Sequence, residues 1–225
     1  MDSEEISNLE KMRHSASHVL AQAVLTLYPD AKLGIGPAIE NGFYYDFEFT
    51  EPIEEEDLPK IEKEMKKIIK KGLPLKQVMM TKEEALEYFK KTDQIYKLEL
   101  LEELDGKEFS FYVTGDNEFA DLCRGNHLEN TKDIGAIKLT KTAGAYWKGD
   151  ENKKMLTRIY GTAFETKEEL EKYLKDQEEL EMRNHRKLGK QLELFAILPE
   201  VGQGLPIWLP RGYVMRRILE NYMLD

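Results

Sequence analysis

Residues 34–49 read GIGPAIENGFYYDFEF, and the way this stretch folds determines how the rest of the chain must be arranged. Asn41-Gly42 is a two-residue hairpin signal, because both residue types tolerate the positive φ of a type I′ turn. Beyond it Phe43, Tyr45, Phe47 and Phe49 alternate with Tyr44, Asp46 and Glu48. The alternation predicts a strand with one buried aromatic face. Such a face has to be covered by a helix or another sheet. Helical patterns flank it on both sides.

Upstream, Met12, Ala16, Val19, Leu20, Ala23 and Leu27 recur at helical spacing. His14 and His18 fall on the opposite side, and Ala21 and Leu25 continue that side in apolar form. This helix is therefore expected to be covered on both faces, its imidazoles turned toward a partly enclosed space. Downstream, Leu58, Ile61, Met65, Ile68 and Ile69 form an apolar stripe that stops at Gly72. Thr81/Glu84 and Thr166/Glu169 are capping-box pairs that open two further helices.

Residues 107–165 read as strand-rich, with EFSFYV, GAIKLTKT and MLTRIYGTAF separated by Gly, Asp and Asn turns. From Thr166 a polar helical pattern runs to about Phe195. LPEVGQGLPIWLPRG, residues 198–212, is dense in Gly and Pro, and an apolar helical run follows. The expected fold class is α+β: an antiparallel sheet with packed helices over residues 1–165, a linker helix over 166–184, and a second, incomplete piece over 185–225.

Composition narrows the function. The chain has 225 residues, 41% hydrophobic and 34% charged, enough apolar content for a core. One cysteine excludes an intrachain disulfide framework and suits a reducing compartment. No apolar run reaches the roughly 18–20 residues of a membrane span, and the acidic start MDSEEISNLE is unlike a signal peptide. A cytoplasmic location away from membranes is the expectation. A net charge of −10 argues against a generic nucleic-acid coat. Two basic stretches stand out locally, Lys132–Arg158 with seven Lys/Arg against three Asp/Glu, and RNHRKLGK at 183–190. Each reads as either a solvated face or a nucleic-acid contact.

His14 and His18, four apart on a helix, share a face. Cys123 and His127 repeat that spacing in DLCRGNH. Together they take three of the four histidines and the only cysteine, which favours one shared site over two unrelated structural pairs. His14, His18, Cys123 and His127 are also a donor set of the kind zinc accepts.

HSASHVLAQAV (14–24), GPAIENGFYYDF (36–47), FADLCRGNH (119–127), AGAYWKGD (143–150), KMLTRIYGTAF (154–164) and RNHRKLGKQLELF (183–195) resemble, in order, the signature stretches of threonyl-tRNA synthetases. Alanyl-tRNA synthetases and their free-standing relatives share the histidines and the Cys-x₃-His, but not GFYYDF or AGAYWKGD in this form. The resemblance runs from about Arg13 to the end of the chain. It implies the editing domain, the connecting helix and the opening of the class II catalytic domain. Asn126 departs from the family pattern, which usually has proline there, and a looser loop is expected.

The implied activity is hydrolysis of seryl-tRNA(Thr). A threonine pocket gains only about 1–3 kcal/mol from one methyl, so serine slips in and a second site must remove it. Ester hydrolysis needs a positioned water, a proton acceptor and donors for the oxyanion. Neutral imidazoles of His14, His18 or His127 suit the proton work. Matching to the family adds Lys97, Asp121 and Tyr45. His14 and Lys97 are expected to hold the attacking water. Asp121 would orient a histidine or the substrate ammonium, and Tyr45 would meet the terminal adenosine or ribose. Arg124 would meet phosphate or pair at the surface, and Trp147 would be strand core or an adenine platform.

No cofactor is expected for editing, and zinc is disfavoured. ATP, magnesium and the zinc of the family belong to the catalytic domain, whose remaining parts would lie after Asp225, so ligation by this chain is not expected. The implied partner is the acceptor end of tRNA(Thr), with dimerisation of the parent enzyme through its catalytic domain. The alternatives are a catalytically silent tRNA-binding or structural appendage and a free-standing trans-editing deacylase.

Overall fold

A computed structural model describes residues 7–116, 118–202 and 204–224. The chain divides into two compact units, one running through Leu170 and the other from Glu171 onward.

The first unit contains two antiparallel sheets. The larger has five strands: β1 (Lys32–Leu33), β2 (Ala38–Ile39), β3 (Gly42–Glu48), β7 (Ala136–Tyr146) and β8 (Met155–Phe164). They run in the order β1-β3-β8-β7, with β2 paired to β3. Helix α1 (Asn8–Leu27) and helix α2 (Leu58–Lys71) pack on one face of this sheet. Phe43, Tyr45 and Phe47 point into that core with Val19, Leu20, Ile61 and Met65. Tyr44, Asp46 and Glu48 take the other face, as their alternation predicts. Asp46 is buried there only because Arg158 grips it with two hydrogen bonds, 2.7 and 2.9 Å, while lying 3.8 Å above the Tyr44 ring.

The smaller sheet has the order β4-β5-β6, from Leu75–Thr81, Glu108–Thr114 and Phe119–Leu122. Helices α3 (Lys82–Lys91) and α4 (Ile95–Glu103) enclose its core of Ala85, Phe89, Leu101, Phe109 and Phe111. Both bonds of the Thr81/Glu84 capping box are present, and Gly72 ends α2 in the left-handed region at φ 66°. Strands β4 and β6 and helix α4 were not separately legible. Their short mixed runs, such as LKQVMMT and FADL, have no clear period of two.

Two expectations need correction. The hairpin turn is Glu40-Asn41, since Ile39 pairs with Gly42, and neither Asn41 nor Gly42 has positive φ. Gly42 is needed for a different reason: a Cβ there would run into the Gly161 carbonyl of the neighbouring strand. The polar helix after Thr166 is also not continuous. Helix α5 spans Lys167–Met182 and a separate α6 spans His185–Gln191. Asn184 breaks the pattern by accepting the Arg186 N–H, at 3.0 Å, as the N-cap of α6.

The second unit adds a hairpin of β9 (Phe195–Ile197) and β10 (Pro206–Trp208), then helix α7 (Pro210–Leu224). Trp208, Val214, Ile218 and Leu219 are exposed and Leu209 is half-buried. No helix among the described residues is long and apolar enough to cross a membrane.

Candidate active site

Helix α1 is buried nearly all round from Met12 to Val24. One side packs on the large sheet, and the other presents His14 and His18 to the loop that leaves β6. That loop brings Cys123 and His127 against them. Cys123 Sγ lies 3.3 Å from His14 Nε2 and 3.3 Å from His127 Nε2. The His127 ring sits 4.1 Å from that of His14 and 4.3 Å from that of His18. The two sequence pairs thus form one cluster.

Beneath them lies a buried ion pair. Lys97 Nζ, from α4, is 2.6 Å from Asp121 Oδ1, with both side chains 2–3% exposed. The Tyr45 hydroxyl donates to Asp121 Oδ2 at 2.5 Å, and His18 Nε2 stands 3.9 Å from the same oxygen. Lys97, Asp121 and Tyr45 therefore belong to this site or its floor, while Arg124 and Trp147 do not. Tyr45 is 0% exposed: the expected contact with adenosine or ribose is replaced by support of Asp121 from within the core. Arg124 is exposed at the rim. Trp147 is core, 2% exposed, packed on Tyr96 with its indole N–H donating to Glu99 at 2.8 Å. The basic stretch 132–158 is largely neutralised. Lys138 pairs with Glu62, Lys148 and Lys153 with Glu99, Lys154 with Glu48 and Arg158 with Asp46.

Several contributors carry no sequence signal. Ser15, fully buried, has its Oγ 3.1 Å from His127 Nδ1 and accepts the Leu128 N–H at 3.0 Å. The Tyr112 ring lies 4.1 Å from that of His127. Gly125 leaves room for the His14 ring, which a Cβ would strike. Gln94, just ahead of α4, takes the Leu33 N–H at 2.7 Å and donates to the Ala31 carbonyl at 3.2 Å, anchoring the helix that carries Lys97. The loop around Asn126 is pinned by the bonds of Cys123, Gly125 and Leu128, and Asn126 itself is exposed.

Burial sets the protonation of the cluster. It is the largest cause lowering the pKa values of His14, His18 and His127; repulsion that protonated neighbouring imidazoles would exert adds to it for His18 and His127, and Lys97 adds to it for His18. Burial also pushes the Cys123 thiol up to about 11. At neutral pH the site thus holds neutral imidazoles and a neutral thiol, able to accept and relay protons. Linkage gives the sign of the pH effect. The unfolded histidines take up protons near pH 6.5 while the folded ones resist, so the unfolded state binds more protons as pH falls. The stabilisation is full above about pH 7 and declines below about pH 6.5, on the order of 1 kcal/mol per pH unit for each group. Urea titrations between about pH 7.5 and 5.5 should show this fall, and a flat profile would contradict it.

The four ligand atoms lie within 4.8 Å of one another. Adjacent N and S donors around tetrahedral zinc are about 3.5 Å apart, so His14, His18, Cys123 and His127 fit such an ion in kind and spacing. Three of the four also hydrogen-bond to one another, His14 and His127 each meeting Cys123 Sγ at 3.3 Å.

Residues 110–160, which carry Asp121, Cys123 and His127, match the model of the family described as threonyl and alanyl tRNA synthetase second additional domain. The whole chain has closer likenesses. It is 50% identical over 218 residues to a threonine–tRNA ligase of Geobacillus sp. (strain WCH70), covering 96% of this chain and 34% of that protein. It is 53% identical over 218 residues to threonine–tRNA ligase 1 of Bacillus subtilis (strain 168), with the same coverage. The ligase of Listeria monocytogenes serotype 4a (strain HCC23) is 51% identical over 215 residues, 95% of this chain and 33% of that protein. Nearly the whole chain is thus similar to one segment of threonine–tRNA ligases. It spans about a third of the length of the curated relatives it matches.

Proposed function

We propose that this chain carries a proofreading hydrolase site that cleaves seryl-tRNA(Thr). The observation that carries the reading is the convergence of three neutral imidazoles and a thiol above a buried Lys97–Asp121 pair, with Asp121, Cys123 and His127 inside the segment that matches the threonyl and alanyl tRNA synthetase second additional domain. This is equipment for moving protons around an ester, with no nucleophile activated for covalent attack, since Cys123 is held as a thiol.

In the proposed step, water attacks the carbonyl carbon of the ester that joins serine to the terminal ribose. Its proton passes to an imidazole, with His14, the half-buried member nearest the rim, as the acceptor. The carbonyl–ribose bond then breaks, and the ribose oxygen takes the proton back from the imidazolium. Free serine and an unesterified tRNA end result. His18 Nδ1 is buried without a hydrogen-bond partner among the described residues, which suits it to meet the water or the substrate. Lys97 provides fixed positive charge beneath, held by Asp121, and the exposed Arg124 would meet the acceptor-end phosphates.

We further propose that the site works without metal. If zinc were loaded, His14, His18, Cys123 and His127 would hold it, and it would supply Lewis acidity and a more acidic bound water. Extensive chelation is expected to leave both deacylation and thermal stability unchanged. Stoichiometric zinc, lost together with activity on Cys123→Ser, would overturn this.

The functional test is deacylation of seryl- and threonyl-tRNA(Thr) by the purified chain. Rapid release of serine with threonine largely retained is the expected result. Binding of tRNA with no release of either amino acid would leave a silent appendage.

A further inference from the structure

We propose that Ser15 is a positioning residue, fixing His127 in the tautomer with its proton on Nε2 and thereby setting the direction of the whole hydrogen-bonded chain from His127 through Cys123 to His14. Its effect on catalysis rests on the hydrolase reading above, but the tautomer itself does not.

The argument is an accounting of protons. The Leu128 N–H can only donate, so Ser15 Oγ is its acceptor, at 3.0 Å. Ser15 has one hydroxyl proton to place. A buried helical serine gives it to a carbonyl in reach, as Ser17 does between the His14 carbonyl one turn back, at 2.8 Å, and the Gly36 carbonyl, at 2.6 Å. Ser15 makes no such bond among the described residues, and its other polar neighbour is His127 Nδ1 at 3.1 Å. The hydroxyl therefore donates to Nδ1. A neutral imidazole with an accepting Nδ1 carries its proton on Nε2.

That proton points at Cys123 Sγ, 3.3 Å away. Sγ also receives the Gly125 N–H at 3.2 Å. With two donors arriving, the thiol proton is directed to its remaining partner, His14 Nε2, at 3.3 Å. His14 is hydrogen-bonded to the Asn126 backbone as well. Each donor in the series then meets an acceptor: Ser15 to His127, His127 to Cys123, Cys123 to His14. Reversing the His127 tautomer would leave the hydroxyl proton of Ser15 without an acceptor in a fully buried position, an uncompensated loss.

The functional consequence lies at His14. A thiol is a weak donor, so it keeps the Nε2 lone pair turned inward and basic without tying it up. An incoming water can displace the S–H contact and deliver its proton to the same nitrogen. With His127 reversed, Cys123 would have to donate back to His127, and the orientation of His14 would lose its support.

The test is a long-range proton–nitrogen correlation spectrum of the wild-type chain with labelled histidine. Only four imidazoles are present, and His→Gln variants at each position assign them. The expected result is His127 as the Nε2–H tautomer. Ser15→Ala should shift that tautomer and lower the deacylation kcat at least about tenfold with little change in KM, and Ser15→Thr should restore both. A wild-type His127 protonated on Nδ1 would overturn the proposal, as would a Ser15→Ala protein with spectrum and kcat unchanged. If Ser15→Ala does not fold, the wild-type spectrum still decides. A wild-type chain with the Nε2–H form and no esterase activity would support the tautomer and defeat the hydrolase reading.

Discussion

Replacing His18 or His14 by alanine is expected to slow seryl-ester hydrolysis at least ~100-fold, the scale lost with a positioned acid–base group. The two should differ in how they fail. His14 is half-buried at the rim, held by the weak thiol contact and by a hydrogen bond to the Asn126 backbone. His14→Ala should therefore reduce kcat while the fold stays intact. His18 is 2% exposed and wedged between the His14, His127 and Phe119 rings. His18→Ala also removes packing and should cost some stability, so His18→Asn is the better probe of chemistry alone. Single-turnover deacylation, with folding checked by circular dichroism, measures the effect. Wild-type rates in both folded variants would reduce the pair to a structural role.

Asp121→Ala is expected to be among the most damaging single changes in the chain. It strands the Lys97 ammonium at 2% exposure and leaves the Tyr45 hydroxyl without its acceptor. Removing one partner of a buried ion pair costs about 3–5 kcal/mol, because the other charge stays desolvated. The pair itself is not a bargain for stability, since apolar residues of similar volume often do as well or better. The double variant Lys97→Met/Asp121→Leu should thus regain much of the lost stability while showing no deacylation. Denaturant titration of the three proteins, alongside the activity assay, separates the two effects. If Asp121→Ala unfolds at the wild-type midpoint, Lys97 is not buried as a charge. Recovery of activity in the double variant would remove the ion pair from the mechanism.

How much of this was legible beforehand depends on the range of the interaction. The α1 face, the aromatic strand, the α2 stripe and the capping boxes were readable because their causes are local: spacing, turn chemistry and caps. The hairpin misled by one residue because Asn-Gly carries a strong local preference. The close approach of Gly161 made the glycine necessary as a strand residue instead. The break at Asn184 is a cap signal that a continuing polar pattern hid. In the site, the histidines and cysteine were found by their rarity and spacing, while Lys97, Asp121 and Tyr45 needed the family likeness. Ser15 and Gln94 had no chance of being found that way. A serine between two histidines and a glutamine ahead of a helix look ordinary until the fold brings their partners within reach. Trp147 was open between two roles, and its burial against Tyr96 assigns it to the core.

Several contacts of the site join distant parts of the chain. Cys123 meets His14 across 109 residues, Ser15 meets His127 across 112, and Tyr45 meets Asp121 across 76. Closing such long loops is entropically costly, and domains dominated by non-local pairing fold slowly. A nascent or refolding chain can form α1, α2 and the β2–β3 hairpin early and still have no site at all. Return of deacylation after dilution from denaturant should therefore lag behind helix recovery, making the activity a clock for the last docking of the small sheet against α1.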